Sequence, residues 1–416
     1  SGAVRIVRED VQLDADEVSA SVEPDAQGAP ALRSGDAQGS VRAAVSRGAE
    51  VRGPRITVDE GGDVVTVSGP GSVVAIGDAD RLFEVHAESM EVRRREGRIT
   101  GAGPGHATMQ TAAQGASPPS FGSLTWTEGF AHDDATGVLE LLGTVAGTRT
   151  VGDAETQRLS APGGATVVLT PGVLAEGSGI GTAGVETGVT EVVLHGASGT
   201  PAEIEGRRYR TSETAGVRGP VESVVALRAD LVGIDVLTQR LRSPGAGVLV
   251  VEDRREGSAD GAKSDLMAGG GRGTTAFRWS GAFDLDREAG RGSMDGGVRV
   301  SHLDAVSSEV TELTARAVEV RFDAGAAGAE SMDSDVVRAL FAREAVRLDH
   351  PRASIESDLI EYDAGTGRFT ARSTGSTRVR GVDRQNGTSF FADLVWVNPA
   401  TGELGSEGVT GITSGR

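Results

Sequence analysis

A ten-residue pattern recurs along this chain at a spacing that leaves few folds open. Residues 354–363 read SIESDLIEYD and residues 389–398 read SFFADLVWVN, 35 positions apart (354 to 389). Each runs into a turn, Ala364-Gly365-Thr366-Gly367 or Pro399-Ala400-Thr401-Gly402. A second strand-like stretch follows, Arg368 to Ala371 or Glu403 to Ser406. The pattern returns at Phe83 to Val92 (followed by Gly97 to Gly101), at Leu227 to Ile234 and at Leu313 to Val320. Gln12 to Val18 is a weaker copy, and degenerate copies begin near Leu124, Leu159 and Phe277. A module this short buries its apolar face only against its neighbours, so about ten of them imply a repeat architecture.

The spacing inside a module carries more. Take the small residue (Ser357, Ala392, Ala87, Ala229 or Ala315) as zero. Apolar residues stand at −2, +3 and +5: Ile355, Ile360 and Tyr362; Phe390, Val395 and Val397; Val85, Met90 and Val92; Leu227, Val232 and Ile234; Leu313, Val318 and Val320. Positions −2 and 0 share one face of a strand, as do +3 and +5. The step from 0 to +3 is odd and would flip the face, so a bulge or bend between them is needed to keep both sets inward. A bend at the same place in every module creases the whole sheet into a V-shaped trough with two apolar walls. The competing arrangement is two short strands meeting at a corner with no open groove.

Helical periodicity is nearly absent. Its best window is Val336 to Phe341, where the repeat register sets Leu340 with Phe369 and Ala342 with Ala371, so a strand is expected there. Loops are expected over Pro201 to Pro220, Arg254 to Gly273 and Ala324 to Asp333. No linker cuts the chain. The expected fold is all-β: one continuous stack over 1–416 of about twenty mostly antiparallel strands. Its N-terminal modules occupy 1–110, divergent modules with loops 111–225, and the clearest copies 226–416.

Composition narrows the function. Aromatic residues are 4% of the chain, so the interior is built from Val, Leu, Ile and Ala. A net charge of −19 argues against nucleic acid and against simple docking on anionic lipid heads. Lys263 is the sole lysine, and Cys is absent, which removes disulfide and thiol chemistry. No run approaches the ~18 apolar residues of a membrane-spanning helix. The chain opens with Ser1-Gly2 directly into a strand-like pattern, which reads as a piece without its N-terminal targeting segment.

No catalytic, metal or cofactor motif stands out. The histidines (86, 106, 132, 195, 302 and 350) are far apart in sequence and read as surface or structural residues. Asp284-Leu285-Asp286 with Asp295 lacks the ligand spacing of a calcium loop. Gly101-Ala102-Gly103-Pro104-Gly105 reads as a turn and not a phosphate cradle. Gly196-Ala197-Ser198-Gly199 is one residue short of a nucleophile elbow, and Asn386-Gly387-Thr388 is a hairpin turn. No cofactor is expected.

The module itself resembles the OstA-like repeat of the periplasmic lipopolysaccharide-transport (Lpt) bridge proteins. The resemblance rests on an Ala-Asp or Ser-Asp step, an apolar-x-apolar triplet, Asp or Asn, a Thr-Gly turn and a second strand ending in small residues. Asp358 to Arg380 and Ala392 to Thr410 carry it best. It is clear over residues 310–416, partial over 1–110 and 220–305, and faint over 111–220.

The resemblance implies an elongated β-jellyroll or β-taco trough that shields lipopolysaccharide acyl chains in the periplasm of a diderm bacterium. The residues at −2, +3 and +5 would line it. Partners would be lipopolysaccharide or another acyl lipid, and Lpt-type proteins or further copies joined edge to edge, here through the strands near Val4 to Val11 and Val409 to Thr413. This chain is considerably longer than a typical single bridge domain. Two other functions fit the residues alone: a structural or adhesive surface solenoid with a filled core, and a polysaccharide-active β-helix enzyme. A non-enzymatic lipid trough is the reading the repeat favours.

Overall fold

The computed structural model describes residues 4–8, 11–24, 28, 30–45, 49–59, 63–77, 81–113, 118–170, 189–210, 212, 217–254, 273–305, 307–322, 337–363, 365–374, 377–398, 401 and 403–414. The chain is all-β, 76% strand and 0% helix, and every strand pairing is antiparallel among the described residues. Val337–His350 is a strand despite its helical spacing. Its Leu340 and Ala342 are buried in rows that also hold Phe369 and Ala371. The expected loops at Arg254 to Gly273 and Ala324 to Asp333 fall almost wholly outside the described residues.

The chain divides into two compact units. The first comprises residues 1–152 and 158–202, the second 153–157 and 203–416, so the division falls inside the divergent 111–225 segment. Each is described by itself.

In the first unit, five long strands pair in chain order: Pro30–Val45, Ala49–Asp59, Val64–Gly77, Arg81–Arg93 and Arg98–Thr111. Each bends near its middle. The pairing register jumps between Gln38 and Val41, Arg52 and Arg55, Ser68 and Ser72, and Ala87 and Ser89. In flanking rungs the same break separates two strands: Val11–Ala15 from Glu17–Pro24, and Ser120–Trp126 from Gly129–Asp133.

The second unit repeats the device. Val221–Ala229 breaks before Leu231–Asp235, Val310–Ala315 before Ala317–Phe322, and Thr388–Ala392 before Leu394–Asn398. Val337–His350 and Ala353–Asp363 stay whole, and their register jumps between Arg343 and Val346.

The break falls on one residue, the one after the small residue of each module: Asp16, Glu88, Asp230, Arg316, Asp358 or Asp393. Skipping one residue corrects the odd step, so apolar side chains on both sides of the break point inward. Backbone groups at the break find partners. The amides of Asp16, Arg316 and Asp393 donate to the carbonyls of Gln38 (3.1 Å), Glu344 (3.0 Å) and Glu407 (3.0 Å). Glu344 and Ala345 take left-handed φ values of 63° and 53° to make the bend, an uncommon conformation for residues with a Cβ.

Two sequence expectations are corrected. Gly101 to Gly105 is no turn but the bend inside Arg98–Thr111, where Pro104, which has no N–H to give, sits in the stretch that the register skips. Pro201 to Pro220 is not all loop, because Ala202–Tyr209 is a strand. Its alternation of buried Ala202, Ile204 and Gly206 with Glu203, Glu205 and Arg207 was masked by the flanking Pro and the charges.

Gly164 lies in the break between Glu155–Ala161 and Ala165–Leu169, with φ 95°. A Cβ there would lie 2.7 Å from the Leu141 carbonyl oxygen, whereas Gly199 (φ 77°) has open space around it. Gly164→Ala is expected to cost at least about 2 kcal/mol, strain plus clash, and Gly199→Ala about 1 kcal/mol from strain alone. Urea denaturation of the two variants checks the difference.

Candidate apolar binding trough

All fifteen candidate residues fall on inward rows that run across the strands on either side of the crease. In the first unit, one wall carries the row Ile6, Leu13, Ala43, Val51, Val74, Val85, Ala107 and Leu124, each opposite the next. The other wall carries Val18, Ala37, Ile56, Val67, Met90, Gly101, Phe130 and Leu141 beside the crease. One step further out on that wall come Val58, Val65, Val92, Ile99, His132 and Leu139. Residues of both walls meet in one cluster: Ala15, Val41 and Leu13 from one, Ala37, Ile56, Val67 and Val65 from the other.

For most residues of these rows exposure rises with distance from the crease; His132, 5% exposed in the outer row, and half-buried Val18, beside the crease, depart from it. Val41, Val67 and Met90, beside it, are at most 2% exposed. One step out, Leu13, Val51, Val74 and Val85 on one wall and Val58, Val65, Val92 and Ile99 on the other are all half-buried. Buried beside the crease and half-buried one step out, with almost wholly apolar side chains on both sides, these rows are the candidate trough. Leaving such rows half wet forgoes hydrophobic stabilisation of roughly 25 cal/mol per Å².

The second unit uses the same rows differently. Leu227, Leu313, Leu348 and Ile355 on one wall are at most 2% exposed, and so are Val318, Leu340, Ile360, Tyr362, Phe369 and Val395 on the other. Phe390, Val397 and Val320 are buried, as is Val232; Ile234 is half-buried. Rings fill the space: Tyr362 packs on Phe369 with centroids 4.7 Å apart, and Trp279 on Phe283 at 4.9 Å. The clearest sequence copies therefore line a closed interior, while Val85 and Val92, from a partial copy, flank the open one.

Register also gathers residues that sequence separation hides. His86 and His106, 20 positions apart (86 to 106), stand directly opposite on the outer face, rings stacked at 4.2 Å. In the second unit Thr275, His302 and Thr311 form one row, with the Thr275 hydroxyl 2.8 Å from His302 Nδ1. Asp284, weighed as a calcium ligand, is held by Arg240 at 2.6 Å. Among the described residues no group of three or more His, Cys, Asp or Glu could hold a metal ion.

No protein-family model and no curated protein matches this chain. The trough is therefore read on its geometry alone.

Two measurements follow. Val395 is fully buried, so Val395→Asp leaves an unpaired carboxylate in the core and is expected to cost about 4 kcal/mol or more. Val85→Asp, at the half-open row, is expected to cost about 1 kcal/mol because its carboxylate keeps contact with water. Thermal melts of the two variants separate the closed interior from the open one.

Burial pushes the His302 imidazole below the usual histidine range, against a smaller upward pull from Asp304. The unfolded chain then takes up a proton on this side chain before the folded one does. Stability is expected to fall as pH drops below about 6.5. His302→Gln removes that part of the slope in denaturation curves run from pH 7.5 to 5.

Proposed function

We propose that this chain is a lipid-binding bridge of the cell envelope of a diderm bacterium, of the lipopolysaccharide-transport kind, and that its first unit holds acyl chains. The observation carrying this reading is the exposure gradient over apolar rows on two facing walls. Acyl chains need dry, featureless apolar surface in a trough that can be entered along its length. Val51, Val74 and Val85 facing Val58, Val65 and Val92 offer it. Ile6 and Ile412, in outer rungs of the described residues, are 45% and 69% exposed and offer apolar surface for edge-to-edge assembly.

The closed interior of the second unit supports a different role for that half, a structural scaffold with a filled core. Both readings meet in one experiment. Organic extracts of the purified protein are analysed by mass spectrometry, and a fluorescent fatty acid is titrated into the unmodified chain, Val85→Asp and Val51→Asp. The transport reading expects co-purified acyl lipid and saturable binding that falls at least tenfold in both variants while the melting curves stay close to the parent. An empty extract and no saturable binding by the unmodified chain would leave only the filled scaffold.

A further inference from the structure

On the outer face of the first unit, one row across the strands runs Arg42, Arg52, Val73, His86, His106 and Thr125, each opposite the next. Its arginines are met by a carboxylate: Glu50 pairs with Arg42 at 2.7 Å and also with Arg52. At His86 and His106 this matching stops. Two bases of one kind face each other, rings stacked at 4.2 Å with planes 10° apart. The equivalent position of a second-unit module, one residue before the small residue, is Glu356. It lies between Arg347 and Arg380 and pairs with both, at 3.1 and 3.4 Å. Like charges directly opposite destabilise a sheet, so the fold gains nothing from a second imidazole beside the first.

What suits two neighbouring imidazoles is a shared cation. Among the described residues no hydrogen bond ties up either ring. His86 is half-buried and His106 exposed, so both are open to solvent and His106 can turn. Glu84, two residues along on the same face, brings a carboxylate oxygen to 3.8 Å from His86 Nε2. A nitrogen ligand stands about 2.1 Å from a zinc ion, so two of them on one ion are at most about 4.2 Å apart. Rings stacked at 4.2 Å are within that span. Their lone pairs lie in near-parallel planes, and rotation about χ1 and χ2 brings them to one point. The backbone register supplies the rest, because directly opposite residues cannot drift apart while the ladder holds.

We propose that His86 and His106 form a cross-strand site for one divalent transition-metal ion of the zinc class on the outer face of the first unit. The inference is independent of what the inner face binds. Two imidazoles select zinc, nickel or copper over calcium and magnesium, which take oxygen ligands. No third His, Cys, Asp or Glu is grouped with the pair closely enough to ligate as the side chains stand, so water completes the shell. The ion ties Arg81–Arg93 to Arg98–Thr111 beside the bend that both strands share, since His86 lies two residues before Glu88 and His106 directly follows Gly105. Inward Val85 and Ala107 sit next to the two ligands on the same strands, so a bound ion stiffens the wall that they line.

The test titrates zinc, nickel and calcium chlorides into the full chain, free of any affinity tag, by calorimetry at neutral pH. One saturable zinc site per chain is expected, shared by nickel and not by calcium. His86→Asn and His106→Asn are each expected to weaken zinc binding by about tenfold or more, since losing a ligand costs at least as much as losing its outer-shell partner. His195→Asn, at a histidine already engaged by the Thr166 hydroxyl at 3.2 Å, is expected to leave it unchanged. Saturating zinc is expected to raise the melting temperature of the unmodified chain and of neither ligand variant. In imidazole NMR spectra of the unmodified chain, zinc is expected to move the signals of two of the six histidines, a readout that needs no variant. No saturable zinc binding, binding that survives both ligand substitutions, or shifts at other histidines overturns the site. So does equal competition by calcium, which would mark general attraction of cations to a chain of net charge −19.

Discussion

Side chains on a strand alternate between two faces, and a strand that bends must decide what becomes of that alternation. Here six modules solve the problem in one way, by dropping a single residue from the ladder. Asp16, Glu88, Asp230, Arg316, Asp358 and Asp393 each stand at the point where pairing stops on one wall and resumes on the other. Everything else depends on this. Without the skipped residue, Met90 and Val92 or Ile360 and Tyr362 would turn outward and the second wall would lose its apolar face. With it, both walls face one interior, and the polar residue that is skipped stays outside.

The same parity sends charge the other way. Asp14 lies between inward Leu13 and Ala15, and meets Arg5 at 2.6 Å across the outer face. Asp36 and Arg55 pair in the same manner at 2.9 Å. Hydrogen bonds from these arginines hold both carboxyls below the usual aspartate range. Such exposed pairs add little stability each, yet in a chain of net charge −19 they set opposite charges across from one another at these positions.

One creased frame accommodates two interiors because side-chain volume, not backbone, decides whether the walls meet. In the second unit Trp279, Phe283, Tyr362, Phe369 and Phe390 are buried in the rows, while Ile234, Leu249 and Leu285 are half-buried there. In the first unit the rows are mainly Val, Ala and Leu, which close the bottom and leave the upper steps half wet. An apolar surface that the protein could have buried with a few larger residues, and did not, is what turns a core into a candidate binding site.

The sequence by itself determined the all-β class, the module, and the inward parity of all fifteen trough candidates, down to the need for a bend between the small residue and the next apolar pair. These follow from period-two geometry, which is local and written in spacing. It did not determine which modules are open. Ile355 and Val85 occupy the same module position, yet one is sealed and the other half-buried, because exposure depends on tertiary packing and not on position in the module. Nor could it reveal that His86 meets His106, that Gly101 to Gly105 is a bend inside a strand, or that the Trp126 indole N–H has no hydrogen-bond partner among the described residues where Trp279 has the Gly245 carbonyl. Those depend on register between strands distant in sequence, and only the folded sheet sets that register.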